Sequence, residues 1–374
     1  MKYFIIAGER SGDLHGSNLI NAIKKEDKEA VIVAWGGNYM QAAGATILKH
    51  YNDLAFMGFF EVIRNLGKIL GFFRECKAQI AEFKPDAIIL IDYAGFNMRL
   101  AKWAKPQGYT VFYYISPKVW AWNQNRAWQL KRNIDKLFVI FPFEVDFFKK
   151  YDFEVEFVGN PLFDAIAAFQ PNLSFIEQNQ LENRKIIALL PGSRKQEVEQ
   201  MLELMVATKE QFPEYLFVIA GVSNLPKEFY QKFVSENVRV VFDQAYDLLN
   251  HSEAAMVTSG TATLETALLG VPQVVCYKTS KVSYAIAKRL IRVPFISLVN
   301  LIAQKEAVRE LIQNELTVQN LASEIKKVLN DSDDRQQQIA DYKHIKYSLG
   351  SVGASAKTGQ RIVEILKSNN LANH

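Results

Sequence analysis

Residues 258–265 have the types and spacing of a phosphate-binding turn. They join an apolar run, 254–257, to a helical pattern that ends at Gly270, so a strand-to-helix turn is predicted. The backbone N–H groups that open a helix can bind an anion, and Ser and Thr hydroxyls add donors. Ordinary Ser/Thr capping is the alternative. A second turn of this kind at 190–194 favours anion binding, and Glu265 is placed to reach a nucleotide ribose.

Asp92 is the candidate general base. It follows a buried apolar run, 87–91, and a carboxylate at the carboxyl end of a parallel strand is placed to take a proton from a substrate hydroxyl. Asp86 lies at the other end of the same strand and is therefore discounted. A loop cap is the alternative reading of Asp92.

Residues 8–13 follow the first predicted strand and open a helix, but they match neither a dinucleotide fingerprint nor a Walker loop. Glu9, Ser11 and Asp13 place two acids and a hydroxyl at a sheet edge, which favours substrate contact over simple helix capping.

The loop 116–122 contains Trp120 and Trp122, which could stack on a sugar, line an acyl channel or lie in the core. The two rings cannot both face one side of a helix, so we predict one tryptophan inside the protein and one at the site.

The length of the chain indicates two domains, and its low net charge does not suggest a protein that binds nucleic acid over a large surface. The chain has 374 residues, 49% of them hydrophobic and 22% charged, with a net charge of only +4. Two windows, 93–134 and 266–305, contain basic residues but no Asp or Glu, which predicts surfaces built for anions. Two distant cysteines and five scattered histidines indicate neither a disulfide framework nor a metal site. Without a signal peptide or a membrane-spanning run, a cytoplasmic protein is expected.

Strands alternate with helical patterns twice along the chain, which predicts an α/β fold of two doubly wound, Rossmann-like domains with a ligand crevice at the strand carboxyl ends. A polar connection near 164–182 suggests an N-terminal domain of residues 1–165 and a C-terminal domain of residues 183–345. A final helical segment, 346–374, is expected to pack back on the first domain. The predicted strands are 3–7, 30–34, 87–91, 110–115, 136–141, 185–190, 215–220, 238–242, 254–257 and 273–277.

The segment 54–80 combines many bulky apolar residues with four cations. Such a helix can lie on a membrane surface or receive acyl chains, and burial against the sheet is the alternative. Residues 284–301 have a similar mixture.

Taken together, these motifs resemble the lipid-A-disaccharide synthase family, inverting glycosyltransferases of the GT-B architecture, over nearly the whole chain. The resemblance rests on an ordered series of segments: 8–13, 57–58 with 61–62, 91–92 with 96–97, 116–117 with 119–122, 142–144, 189–194, 259–265 and 297–303.

The resemblance implies transfer of 2,3-diacylglucosamine from its UDP conjugate to 2,3-diacylglucosamine 1-phosphate, which gives a β-1,6 disaccharide and UDP for lipopolysaccharide in Gram-negative bacteria. It further implies no metal or other cofactor, action at the cytoplasmic face of the inner membrane, and dimers, which the sequence itself leaves open. Asp92 falls on the aspartate thought to act as base, and Arg194 on an essential donor-site arginine.

The remaining site residues follow from the same motifs. The residues expected to bind the UDP-sugar donor are Gly192, Ser193, Arg194, Ser259, Gly260, Thr261, Thr263, Glu265, Lys278 and Asn300. Those expected to bind the acceptor or its lipid chains are Glu9, Ser11, Asp13, Met57, Phe60, Ser116, Trp120 and Trp122.

Four positions depart from the family pattern: Gly95, Lys118, Asn160 and Val299. They affect detailed substrate contacts and acyl-chain preference, but not the roles of Asp92 and Arg194. Two other functions stay open: a different GT-B enzyme, such as a UDP-sugar epimerase or the lipid II N-acetylglucosaminyltransferase, and a non-catalytic module that binds anionic lipid.

Overall fold

The computed structural model describes residues 1–54, 66–181, 184–193 and 195–372 of the chain. The chain divides into two compact units, the first formed by Met1–Asp164 with the segment from Ser351 onward and the second by Ala165–Gly350. Each unit is built around one parallel β-sheet.

The first sheet has its strands in the order β3-β2-β1-β4-β5-β6-β7, all parallel. They are β1 (Lys2–Ala7), β2 (Val31–Gly36), β3 (Thr46–His50), β4 (Ala87–Ile91), β5 (Thr110–Tyr114), β6 (Lys136–Val139) and β7 (Glu156–Phe157). The order reverses direction between β1 and β4. In an open α/β sheet, the carboxyl ends of the two strands at such a reversal border the ligand crevice.

The helices that follow these strands are α1 (Arg10–Glu26), α2 (Asn38–Ala42), α3 (Leu66–Phe83), α4 (Ala94–Ala104), α5 (Arg126–Asn133), α6 (Pro142–Lys149) and α7 (Pro161–Ala168), the last of which runs across the boundary between the units.

The second sheet has its strands in the order β10-β9-β8-β11-β12-β13, again all parallel. They are β8 (Lys185–Leu190), β9 (Tyr215–Gly221), β10 (Val238–Phe242), β11 (Ser252–Thr258), β12 (Gln273–Tyr277) and β13 (Glu310–Ile312). Here the order reverses between β8 and β11, so the turns after these two strands border the crevice of this sheet.

The helices of this part of the chain are α8 (Phe175–Gln178), α9 (Lys195–Ala207), α10 (Lys227–Gln231), α11 (Ala245–Asn250), α12 (Thr261–Leu268), α13 (Lys281–Leu290), α14 (Leu298–Ala303), α15 (Val318–Val328) and α16 (Asp333–Ser348).

The last helix, α17 (Ala354–Ala372), packs against α1 in the first unit. Its residues Ile362, Val363 and Leu366 are buried in the same core as β1. A Cβ atom built at Gly359 would lie 2.6 Å from the Cβ of Ala22, so the two helices approach closely only because this residue is glycine.

The predicted α/β fold is confirmed, and each of the ten predicted strands is present, four with the predicted ends and the others with ends that differ by at most two residues. Three strands were missed: β3, β7 and β13. All three lie at sheet edges, where one side has no neighbouring strand, and they are only two to five residues long and mix apolar with polar residues. Their apolar pattern is therefore too short and too mixed to indicate a strand.

The apolar, basic helix predicted at 54–80 lies partly outside the described residues, which resume at Leu66. In α3, Phe73, Cys76 and Ile80 are buried, and the Phe73 ring stacks on Phe96 with 4.2 Å between centroids. This face of α3 is therefore core, while Leu70 is 53% exposed. Across the described helices, we find none that combines the length and the apolar character needed to span a bilayer.

Candidate functional site

Asp92 lies at the carboxyl end of β4, beside β1, where the first sheet reverses its strand order. Asp92 and Tyr93 both have left-handed backbone, with φ of 44° and 46°, which is uncommon for residues other than glycine. The Asn97 side-chain amide donates to the Asp92 carbonyl oxygen at 2.9 Å, and the Tyr113 hydroxyl donates to the same oxygen. Strained backbone of this kind persists where surrounding contacts hold it, and it is frequent at functional sites.

The Asp92 carboxyl group has the acidity that a general base needs. Burial and, to a smaller extent, the charge of Glu9 raise its pKa to about 6, against the opposing effects of Lys118 and of a hydrogen bond from the Tyr93 backbone. Glu9 follows β1 and Lys118 lies in the loop after β5, so charged groups beyond the ends of two strands act on the carboxylate that follows a third. Such a group is ionised at neutral pH yet basic enough to accept a proton.

The three polar residues of the 8–13 turn take different places. Glu9 and Ser11 are exposed, and the Ser11 hydroxyl donates to a Glu9 carboxylate oxygen. Asp13 is fully buried. Its carboxylate accepts the backbone N–H groups at the start of α2, from Gly37 at 2.7 Å, Tyr39 at 3.0 Å and Met40 at 3.1 Å. This geometry favours a positioning role for Asp13 over the direct contact expected from the sequence.

Tyr93 packs its ring onto the backbone of the same turn. A Cβ atom built at Gly8 would lie 2.2 Å from Cγ of that ring. Only glycine at position 8 allows this contact, which joins the turn after β1 to the strand end that carries Asp92. No sequence pattern indicated this role for Tyr93.

The loop after β5 is anchored by a buried carboxyl group. Trp120 is 5% exposed, and its Nε1 donates to Glu144 Oε1 at 3.2 Å. Burial raises the pKa of Glu144 to about 7, while hydrogen bonds from Phe141, Ile140, Trp120 and Ser116 act against the rise. Trp122 is 44% exposed beneath the Arg126 guanidinium, 4.9 Å from its ring centroid. One tryptophan is thus inside, as predicted, and the other is accessible.

In the second unit, the two predicted anion-binding turns follow the neighbouring strands β8 and β11, where that sheet reverses its order. Gly192 has a φ of 104°, a left-handed conformation that favours glycine, and Ser193 is exposed. The predicted site residues Arg194, Met57 and Phe60 lie outside the described residues.

The turn after β11 presents the exposed start of a helix, while the Ser259 hydroxyl is already occupied. The Ser259 hydroxyl donates to the Ile296 carbonyl oxygen at 3.0 Å, so it fixes the turn to a neighbouring loop. Gly260 and Thr261 are exposed and open α12. The N–H groups of a first helical turn have no partner within the helix and carry the positive end of its dipole. This turn can therefore hold a phosphate.

Two residues expected to contact the donor are buried instead. Thr263 is fully buried, and its hydroxyl donates to the Gly260 carbonyl oxygen at 2.8 Å. Asn300 is also fully buried. Its Nδ2 donates to Val308 O at 2.8 Å and Glu310 Oε1 at 2.9 Å, and its Oδ1 accepts the N–H of Ala307 at 2.8 Å and of Val308 at 2.9 Å. Positioning roles are favoured for both residues.

Glu265 stays a candidate donor-binding residue. It is half-buried on α12, and its Oε1 accepts the Tyr246 hydroxyl at 2.6 Å. Burial raises its pKa, and the tyrosine bond lowers it in part. Lys278 is exposed just after β12, on the same edge of the sheet.

Glu144 and Tyr246, which bond the candidate residues Trp120 and Glu265, were not predicted from the sequence. Glu144 lies three residues after Phe141, whose N–H it accepts at 3.0 Å, so capping-box spacing was the available signal. Tyr246 bonds a residue 19 positions away, and no local pattern indicates such a pair.

Two parallel sheets, each covered by helices and each with one reversal of strand order, define an α/β protein of the GT-B fold. Solved structures share this fold. A putative UDP-N-acetylglucosamine 2-epimerase from Listeria monocytogenes matches with TM-score 0.64 and 14% identity, covering 99% of this chain and 97% of that one. The glycosyltransferase of kitacinnamycin matches with TM-score 0.64 and 11% identity, covering 98% of each.

Sequence comparison is more specific than the fold. A family model described as lipid-A-disaccharide synthetase matches residues 3–363. Lipid-A-disaccharide synthases from Geobacter metallireducens and Syntrophus aciditrophicus are 36% and 37% identical. The alignments cover 98% of this chain and 97% of the first relative, and 97% of both chains for the second. The chain belongs to the lipid-A-disaccharide synthase family. The predicted family and enzyme class, a hexosyltransferase of lipid A disaccharide synthesis, are confirmed.

Proposed function

We propose that the chain transfers 2,3-diacylglucosamine from its UDP conjugate to the 6-hydroxyl of 2,3-diacylglucosamine 1-phosphate, with Asp92 as the general base. The main support for the proposal is the position and acidity of Asp92. Its constrained backbone holds it where the sheet reverses its strand order, and its carboxyl group has a pKa of about 6. The names of the relatives support this reaction, and the geometry around Asp92 supports its role as the base.

The transfer is one displacement at the anomeric carbon. The acceptor oxygen forms the new bond as its proton moves to Asp92, while the bond to the β-phosphate oxygen breaks and UDP leaves with that electron pair. The developing negative charge needs donors that are already in place. We assign this task to the N–H groups that open α12, with Arg194 by family resemblance and Lys278 in support.

Nucleotide release tests the activity. The purified chain is incubated with both glucosamine lipids and free UDP is measured, with each lipid alone as the control. The proposal expects UDP only when both lipids are present, together with a disaccharide product. UDP release without acceptor, conversion of UDP-N-acetylglucosamine to its epimer, or lipid binding without any UDP would each contradict it.

The pH dependence of kcat/KM should follow Asp92. The base must be ionised, so activity is expected to fall about tenfold per pH unit once the pH drops below about 6, and to level off above it. Glu9→Gln removes a negative neighbour of Asp92 and should move the fall in activity to lower pH. Lys118→Gln removes a positive neighbour and should move it to higher pH. Initial rates from pH 4.5 to 8 measure both shifts. If neither variant moved the fall in activity, a group other than Asp92 would be responsible for it.

We also propose that the chain works at the surface of the inner membrane, through the solvent face of α5. Trp128 and Arg132 are exposed on that face, while Ala127 and Leu130 face the core. Trp128 is 46% exposed, with the Lys131 ammonium 5.6 Å from its ring centroid. Exposed tryptophan beside cations suits the headgroup region of anionic bilayers.

The double variant Trp128→Ser with Arg132→Gln should lower affinity for phosphatidylglycerol vesicles roughly tenfold, because an interfacial ring and a cation are lost together. Vesicle co-sedimentation measures it. Turnover of detergent-dispersed substrates should stay unchanged. Tyr347→Ser, at an aromatic residue 89% exposed in the other unit, is the matched control. Vesicle binding that the double variant leaves intact would exclude this face.

A further inference from the structure

Tyr246 and Glu265 form a hydrogen-bonded pair close to the proposed phosphate-binding turn of the second unit. Glu265 lies in the helix that opens at the proposed phosphate-binding turn, four residues after Thr261. Tyr246 lies in the first turn of α11 and donates to Oε1 of Glu265 at 2.6 Å. Such a short bond to a carboxylate is a strong, oriented interaction.

The Tyr246 ring is itself fixed. Phe169 contacts it edge-on, with 5.4 Å between centroids and an angle of 90° between the ring planes. A tyrosine has few rotatable bonds, so a packed ring aims its hydroxyl in one direction. The hydroxyl therefore determines which way the carboxylate of Glu265 is turned.

The pair leaves one carboxylate oxygen for a ligand. Within the described ranges of the chain, Tyr246 is the side chain bonded to Glu265, and it occupies Oε1. Burial raises the pKa of Glu265, and the tyrosine bond opposes that rise in part. An oriented carboxylate oxygen beside a phosphate-binding turn is suited to accept from a hydroxyl group of a ribose.

We propose that Tyr246 is a specificity-determining positioning residue, which orients Glu265 so that the second unit distinguishes ribonucleotide from 2′-deoxyribonucleotide donors. This inference rests on the proposed function, since it concerns the sugar of the same UDP group. Tyr246 touches neither the ribose nor the reacting atoms. It acts through Glu265.

The test compares binding of UDP and of 2′-deoxy-UDP by isothermal titration calorimetry. The wild-type chain should bind UDP about tenfold more tightly, because a buried carboxylate left without its hydroxyl partner is costly. In Tyr246→Phe, the ratio should fall to about threefold or less, since Glu265 is no longer held in one orientation. Under saturating donor, kcat should stay within about twofold of the wild type, so that the loss appears in the donor KM.

Tyr230→Phe is the matched control. Tyr230 is a fully buried tyrosine of the same unit whose hydroxyl oxygen accepts the Val222 N–H at 3.2 Å. It should lower thermal stability to a similar degree and leave the nucleotide ratio unchanged.

The outcomes separate this inference from the proposed function. A wild-type chain that binds neither nucleotide would overturn the function itself. One that binds both equally would overturn the role of Glu265 as a ribose reader. A Tyr246→Phe variant that keeps the wild-type ratio, or that loses both affinities in equal proportion, would overturn the role of Tyr246 alone.

Discussion

Replacing Asp92 with asparagine is expected to lower the rate of disaccharide formation by roughly 10²–10⁴-fold, while UDP binding stays within about twofold of the wild type. The amide cannot accept the acceptor proton, but it keeps the size of the side chain. It also keeps the backbone, because asparagine is among the few residues that adopt a left-handed φ such as the 44° of Asp92 without much strain. Alanine would confound the result with backbone strain at the same position.

The measurement is product formation under single-turnover conditions, paired with calorimetric UDP binding. Asp86→Asn is the matched control, because Asp86 lies at the opposite end of the same strand, where its carboxylate accepts the Lys2 N–H at 2.7 Å. An asparagine there keeps an acceptor oxygen, so turnover should be unchanged. Near-full turnover of the Asp92→Asn chain would remove Asp92 from the role of base.

The fold was largely predictable because its central strands are long apolar runs that alternate with helices. The strands that escaped prediction are edge strands such as β3, where a sequence with exposed positions carries little apolar signal. The C-terminal helix α17 packs on the first unit through contacts with residues more than 300 positions earlier in the sequence. A local pattern can predict such a helix but not what it packs against.

The candidate residues that directly follow a strand could be located from the sequence. Asp92 and Gly260 fall at strand ends that the apolar pattern marks. The spacing of residues in the sequence does not show whether a polar side chain near the end of a strand points to solvent or bonds the backbone. Asp13 turns inward to accept backbone N–H groups of a neighbouring turn, and Thr263 turns inward to donate to a carbonyl oxygen of its own turn; only their hydrogen bonds reveal this.

Asn300 lies in a motif that suggests contact with the ligand, but its hydrogen bonds all go to buried groups of the protein, which indicates a structural role. The substitution Asn300→Leu should lower the free energy of unfolding by about 3–5 kcal/mol, because several buried backbone groups and a carboxylate lose their partner at once. The carboxylate is that of Glu310, which also accepts the Ser297 hydroxyl at 2.7 Å. Urea unfolding followed by circular dichroism measures the change.

The same substitution should also weaken UDP binding, through a chain of contacts rather than a lost ligand bond. Glu310 holds the N–H of Ile296 at 3.0 Å, and the Ile296 carbonyl oxygen accepts the Ser259 hydroxyl, so a disordered 296–300 loop would loosen the turn that precedes α12. Asn314→Leu makes the identical change at an exposed asparagine and should alter stability by less than about 0.5 kcal/mol. If Asn300→Leu instead lost UDP affinity at unchanged stability, Asn300 would be a direct donor contact, and the buried geometry would have to open when the nucleotide binds.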